Sequence, residues 1–408
     1  MNKAVTLSPC SSFEKIEYQA FTNKHLHKIE ALNLLPAALK FNIDVVSRVF
    51  PFRTNPHVID NLIDWEDAEN DPMFRLTFPQ KGMLDDASFD RIANLIKQNA
   101  SEQEIHQVAM EVRASLNPHP AGQMQMNVPS YNGHSLPGSQ HKYTQTVLFF
   151  PSQGQVCHAY CTFCFRWAQF VGDKELKFSS TDSEALFGYL ESHKEVTDLL
   201  ITGGNSLVMN ADHLERYLEG LYREELSHIQ TVRFGTKTLT FWPQRFVTDD
   251  DSDRILAAME RLVKAGKHVA VMAHFNHWRE LESPTTKEAI RRIRATGAQI
   301  RAQSPLLSHI NDDAATWSKM WNKQIQLGII PYYMFVARDT GASRYFELPL
   351  ARAWEIYQKA MGSVSGLART ARGPSMSGGP GKVEISGVSE IQGEKVFVLR
   401  FIQARNDD

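Results

Sequence analysis

Between residues 144 and 362, short apolar and β-branched runs alternate with stretches whose apolar positions recur every three or four residues. The runs at 144–151, 197–202, 231–235, 268–274, 299–303 and 329–335 read as strands. The helical periodicity between them covers 182–193, 211–224, 251–265, 286–296 and 313–327, and residues 348–361 follow the last strand in the same manner. Six strand-then-helix repeats predict parallel strands joined by right-handed crossovers. Upstream, residues 1–143 read as mostly helical and irregular. Residues 101–116 form an amphipathic helix pattern, with Ser101 as cap and Glu104 three positions on. The stretch 117–141, rich in Pro, Gly, Ser and Asn, predicts a long connection. Three regions result: 1–143, a barrel-like unit at 144–362, and a C-terminal segment at 363–408.

Composition narrows the class. The 408 residues are 42% hydrophobic and 22% charged, with a formal net charge of -2, as in a globular enzyme. Basic residues are dispersed, so no nucleic-acid or membrane footprint is expected. The first residues lack an apolar signal core and no stretch is long enough to span a bilayer. Four cysteines do not make a disulfide framework in a chain of this length, and a reducing cytoplasm is the expected location.

Three of those cysteines, Cys157, Cys161 and Cys164, fall within eight residues, and the fourth, Cys10, is far upstream. Three thiolates can hold three irons of a cubane [4Fe–4S] cluster and leave the fourth iron open to chelate a small molecule. Three buried core thiols are the alternative, but clustering a scarce residue so tightly has no packing motive. Gly203 and Gly204 follow the second strand, where glycine permits close backbone approach or simply ends a turn. His274 and Gln303 each end a strand. Candidate site residues at the C-terminal ends of nearly every strand favour a partial barrel over an open doubly wound sheet. Lys382 closes a glycine-rich run, but Val383 follows it, so the phosphate-loop form is incomplete.

The motifs CHAYCTFCFRW, LLITGGNSL, VRFGTKT, WPQRFVT, AHFNH, QSPLLSHIND, PYYMF and GGPGK come in an order that resembles the lysine 2,3-aminomutase family. NLIDWEDAENDPMFR and HKYTQTVLFF upstream are similar too, so the resemblance runs from about Asn55 to about Ile385. It implies an α/β fold: a partial (β/α)6 TIM-like radical S-adenosylmethionine (SAM) barrel with a helical N-terminal extension and a C-terminal segment carrying the lysine for pyridoxal 5'-phosphate (PLP). The implied cofactors are a [4Fe-4S] cluster on Cys157, Cys161 and Cys164, SAM, and PLP joined to Lys382. Tyr160, Gly203, Gly204, Asn205, His274 and Gln303 match positions near the cluster and SAM, with Asn205 where the family usually has Asp. Lys142, Tyr143 and Lys237 match positions near PLP. Both lysines replace arginines, and Thr146 stands where another arginine would be, which leaves the phosphate site less richly charged. Arg166 matches the residue that grips the substrate α-carboxylate. Lysine-specific members hold the distal ammonium with two aspartates; Arg338 and Ser375 occupy those positions here, and a one-residue slip would substitute Asp339. The pair disfavours lysine and points to an acidic amino acid, glutamate or aspartate, whose amino group moves from the α- to the β-carbon. The resemblance further implies a low-potential electron donor of flavodoxin or ferredoxin type, and homo-oligomers are common in the family. Other radical SAM chemistry, such as elimination or modification of a peptide or RNA, is the rival reading. A non-catalytic iron–sulfur module and a PLP or nucleotide binder without a cluster are more distant ones.

Overall fold

The computed structural model describes residues 13–405, so Cys10 lies outside the described residues. A ten-stranded sheet forms its centre, with strands in chain order across the sheet. We number them β1 (Ser139–Tyr143), β2 (Thr146–Phe149), β3 (Asp198–Ile201), β4 (Thr231–Thr236), β5 (His268–His274), β6 (Gln299–Leu306), β7 (Ile330–Val336), β8 (Arg372–Ser377), β9 (Gly381–Ile391) and β10 (Glu394–Ala404). Strands β2 to β8 are all parallel to their neighbours. An antiparallel β1 pairs with β2, and the antiparallel β9 and β10 extend the other edge.

The six anticipated strands are present, and the crossover helices lie where the periodicity placed them: Ser183–Glu191, Ala211–Glu219, Ser252–Lys264, Pro284–Ala295, Ala314–Gln326 and Leu350–Gly362. Alternation along each strand decides what faces where. Val147, Phe149, Leu199, Ile201, Val232, Phe234, Val269, Val271, Ile300 and Met334 are buried against the helices. Their neighbours in sequence therefore line the opposite, concave face. The sheet curls around that face until its edges meet: the Arg405 guanidinium, just beyond β10, lies 5.8 Å from the ring centre of Tyr143 on β1. This is the open, partial barrel expected from the sequence.

Four strands of this sheet were not anticipated. β1 is polar (SQHKY), and β8 to β10 belong to what reads as a trailing segment. The C-terminal chain instead supplies β8 as a seventh parallel strand and then a hairpin, so Lys382 sits on β9. The N-terminal region contains helices Ala37–Val49, Asp86–Lys97 and Glu102–Ser115, the last capped by Ser101 and Glu104 as expected. Its core includes Ala159, Trp167 and Ala168, so it packs directly on the cysteine-bearing segment. No helix among the described residues is long and apolar enough to cross a membrane.

Candidate active site

The three cysteines occupy the loop that leaves the C-terminal end of β2, and the N-terminal region fixes that loop's backbone. Tyr160 N–H donates to Arg53 O (2.9 Å) and Thr162 N–H to Leu76 O (2.9 Å). Asn55, with no solvent exposure, donates its amide to His158 O (3.1 Å) and Phe241 O (2.9 Å). The Tyr18 hydroxyl donates to the same His158 carbonyl (3.0 Å). From below, Gly203 and Gly204 bring the end of β3 against the loop. A Cβ on Gly204 would lie 2.7 Å from Val156 N, and Gly203 has φ +131°. These two glycines are required by close approach, not by a turn alone.

Cys157, Cys161 and Cys164 are free and half-buried. Burial pushes the Cys164 thiol up to about 11. It pushes Cys157 up as well, with the other two cysteines adding to the rise. Bare thiols are therefore neutral here, and cationic irons are the counter-charge that thiolate ligation would require. Among the described residues no three His, Cys, Asp or Glu side chains converge on a single metal ion. Ligands spread around a multi-iron cluster need no such convergence, and a soft all-thiolate set of three fits the cubane.

His274 and Gln303 are direct register partners on β5 and β6, both on the concave face. Phe163 of the cysteine loop stacks 5.8 Å from the His274 ring, which ties that face to the loop. Burial, with Lys237 nearby, lowers His274 to about 3, so it is neutral. Tyr160 stacks on Phe170 at 4.9 Å. Two further expected residues are held by neighbouring side chains. Asn205 is 1% exposed; its amide donates to Thr238 Oγ1 (2.6 Å), and its oxygen accepts from Thr236 Oγ1 (2.7 Å) and Leu207 N (3.2 Å). Lys237 is paired with buried Glu280 at 2.5 Å and bonded to Asn276 Oδ1 at 2.9 Å, beside His274 rather than with Lys142.

The remaining residues assemble. Lys142, Arg166, Arg338 and Lys382 come together with Arg405, a residue the motifs did not single out. Lys382 Nζ lies 4.1 Å from the Tyr333 ring centre and 5.6 Å from that of Phe335. Burial first, then Arg233, Arg338 and Arg405, lowers its ammonium to about 8. Burial first, then Arg405, Arg338, Lys382 and Arg166, lowers Lys142 to about 7. Arg166 lies 4.4 Å over the Phe150 ring and bonds Gln169 Oε1, while its Nε is buried without a partner. Arg338 lies 4.8 Å from the Phe165 ring centre, whereas Asp339 is exposed. Ser375 is fully buried, pairs with Phe335 across the sheet, and makes only a long bond to Met334 O (3.4 Å). Of the nearby acids, Asp198 is bidentate to Arg233 and also accepts from Thr146 Oγ1, and Glu384 pairs with Arg400. None of the five cations forms a salt bridge among the described residues. Burying unpaired cations together costs several kcal/mol, roughly, unless anions join them. The cluster is chemically suited to a phosphate and to carboxylates.

A parallel open barrel with three cysteines in the loop after its first parallel strand is the architecture of the radical SAM enzymes. No family model matches the chain. It is 30% identical over 368 residues to a protein of Aquifex aeolicus provisionally named L-lysine 2,3-aminomutase, which covers 90% of this chain and 86% of that one. The chain therefore belongs to the lysine 2,3-aminomutase family and is an enzyme. L-lysine 2,3-aminomutase of Acetoanaerobium sticklandii is 26% identical over 275 residues, 67% of this chain and 63% of that protein. Glutamate 2,3-aminomutase of Clostridioides difficile is 29% identical over 212 residues, 52% of this chain and 47% of that protein. A radical SAM methyltransferase from Sphaerobacter thermophilus superposes with a TM-score of 0.42 at 12% identity, covering 70% of this chain and 93% of that one.

Proposed function

We propose that this enzyme is a radical SAM, PLP-dependent amino acid 2,3-aminomutase whose substrate is an acidic amino acid, glutamate being the one that a 2,3-shift converts into a distinct β-amino acid. The observation that carries the reading is the cluster of cations around Lys382, none of which forms a salt bridge among the described residues. When bound, the cluster and SAM supply a carbon radical that removes a β-hydrogen, and PLP supplies a π-system for the migrating amino group. Cys157, Cys161 and Cys164 would hold the iron–sulfur cluster. The Gly203–Gly204 backbone, His274 and Gln303 would border SAM. Lys382 would hold PLP covalently through its aldehyde carbon, with Lys142 and Tyr143 beside it.

Arg166 and Arg338 are left to orient the substrate. Arg166 would take the α-carboxylate. Arg338, over Phe165 and partly buried, would take a distal carboxylate, with Ser375, buried beside Phe335, assisting. A lysine side chain would bring an ammonium to Arg338, whose neighbouring acid, Asp339, is exposed. Phe163, Phe165, Tyr333 and Phe335 limit water around the reacting carbons.

The test is anaerobic incubation with SAM, a low-potential reductant, PLP and a panel of amino acids, with β-amino products read by mass spectrometry. β-Glutamate formation is expected, with Arg338→Gln raising KM for glutamate roughly 10- to 100-fold, as loss of a charge-assisted bond predicts; a 2,3-shift on aspartate regenerates aspartate, so that substrate is followed by carbon-13 in its α-carboxyl, which moves to the side-chain carboxyl. Turnover of lysine, with neither dicarboxylic acid turned over, refutes the substrate assignment.

A further inference from the structure

Arg405 follows β10 and folds back onto the turn that carries Lys382. Its backbone N–H donates to Pro380 O (3.0 Å), Nη1 donates to Gly379 O (2.8 Å), and Nη2 donates to Ser377 Oγ (2.8 Å). Its Nε is buried and has no partner among the described residues. The guanidinium lies 5.8 Å from the Tyr143 ring centre. Among the charges acting on Lys142, that of Arg405 is the largest. A guanidinium held by two hydrogen bonds, with a buried donor left over and beside it a lysine that has no salt bridge among the described residues, is arranged to receive an oxyanion.

The cations reach the site from different parts of the fold, and Arg405 is also the strongest charge acting on Arg338. Arg338 lies over Phe165 of the cysteine loop, and Arg166 feels its charge. Lys142 and Arg405 come instead from the two opposite edges of the curled sheet. A phosphate, with roughly two negative charges and several acceptor oxygens, matches a lysine–arginine pair better than a single carboxylate does.

We propose that Arg405, together with Lys142 and Tyr143, forms the phosphate subsite for PLP and bridges the seam of the barrel through that phosphate. The proposal depends on the PLP reading above. It makes Arg405 a ligand-binding residue as well as a clamp on the Ser377–Gly381 turn, and the two roles separate experimentally.

Full-length protein is titrated with PLP and with pyridoxal, which has the aldehyde but no phosphate. Binding is read by absorbance of the imine, formed when Lys382 Nζ adds to the aldehyde carbon and water leaves. Arg405→Gln is expected to weaken PLP roughly 10- to 100-fold while changing pyridoxal less than about threefold. Arg405→Lys is expected to recover part of the loss. Inorganic phosphate should compete with PLP in the wild type, and at least about tenfold more weakly in Arg405→Gln. Equal weakening of both aldehydes would reduce Arg405 to a clamp and overturn the proposal, as would no weakening of either. Absence of a Lys382-dependent imine in the wild type would overturn the PLP reading itself, and inorganic phosphate binding, measured directly by calorimetry, then decides whether Arg405 binds phosphate at all. Thermal unfolding of both variants separates these outcomes from misfolding.

Discussion

Lys382 should react with aldehydes near neutral pH, far below the range of an ordinary lysine. Its ammonium lies over Tyr333, and burial together with Arg233, Arg338 and Arg405 lowers its pKa from 10.5 to about 8. At about pH 7.5, an amine of pKa 10.5 is neutral in roughly one molecule per thousand, and one of pKa about 8 in roughly a quarter. That is a gain of roughly 200-fold in reactive amine. The weaker base is also a weaker nucleophile; with the slope of about 0.4–0.5 found for thiols, a fall of about 2.5 in pKa costs roughly tenfold. The net advantage is roughly 20-fold. Pyridoxal is the reagent of choice, because it leaves the anion subsite empty. Stopped-flow absorbance should show imine formation rising with pH through a midpoint near 8 and then levelling. Lys382→Ala should lose the fast phase. Arg338→Gln should move the midpoint upward, because removing a positive neighbour favours the ammonium. With PLP the midpoint should lie higher than with pyridoxal, since a bound phosphate also favours the ammonium. A wild-type midpoint near 10.5, or a fast phase that survives Lys382→Ala, would refute the reasoning.

Two further substitutions test how the cysteine loop is held. Asn55→Ala removes a helix cap on Val58 N–H and the two amide bonds to His158 O and Phe241 O. At about 1 kcal/mol for each, the loss is about 3 kcal/mol. Urea unfolding should register it, and iron should escape faster to a chelator from anaerobically reconstituted protein; unchanged iron retention would show that Asn55 does not secure the loop. Gly204→Ala places a Cβ 2.7 Å from Val156 N and 3.0 Å from Gly154 O, backbone atoms that can yield only by moving the cysteine loop. A stability loss of about 1–3 kcal/mol is expected, with slower deoxyadenosine release from SAM. Wild-type values for both would contradict the close packing of β3 under the loop.

The barrel was legible because its strands carry a clean signal on one face. Val232, Phe234, Val269 and Val271 must be apolar whatever the concave side does, since they meet the helices. His274 and Gln303 could be placed side by side on the concave face because each lies near the end of such a strand. β1 escaped detection because its residues SQHKY are polar and serve a sheet edge beside charged groups. The final hairpin had a readable sign: Gln392 and Gly393, at φ 54° and 81°, form a two-residue turn between alternating runs. Arg405 gave no local sign at all. Its importance comes from a chain end folding back across the barrel seam, which no spacing in the sequence encodes. The roles expected for Asn205 and Lys237 depended on side-chain direction, and each side chain is engaged by neighbours instead.

Charge balance in the proposed complex explains why substrate choice should be sharp. With a phosphate bound, which favours the charged form of Lys142, the residues Lys142, Arg166, Arg338 and Arg405 bring four positive charges, none of them in a salt bridge among the described residues. A phosphate of roughly two negative charges and a substrate with two carboxylates cancel them. A lysine substrate supplies one carboxylate and one ammonium, which leaves an excess of two positive charges in a cavity with limited water. At about 4 Å and an effective dielectric of about 20, each misplaced unit charge is worth up to about 4 kcal/mol before screening and rearrangement reduce it. Even a quarter of that per charge gives roughly 30-fold discrimination. Discrimination of this origin should weaken when Arg338 is made neutral, without any new contact to lysine. If Arg338→Gln leaves the ratio of glutamate to lysine turnover unchanged, the selectivity of the site has a source other than its charge.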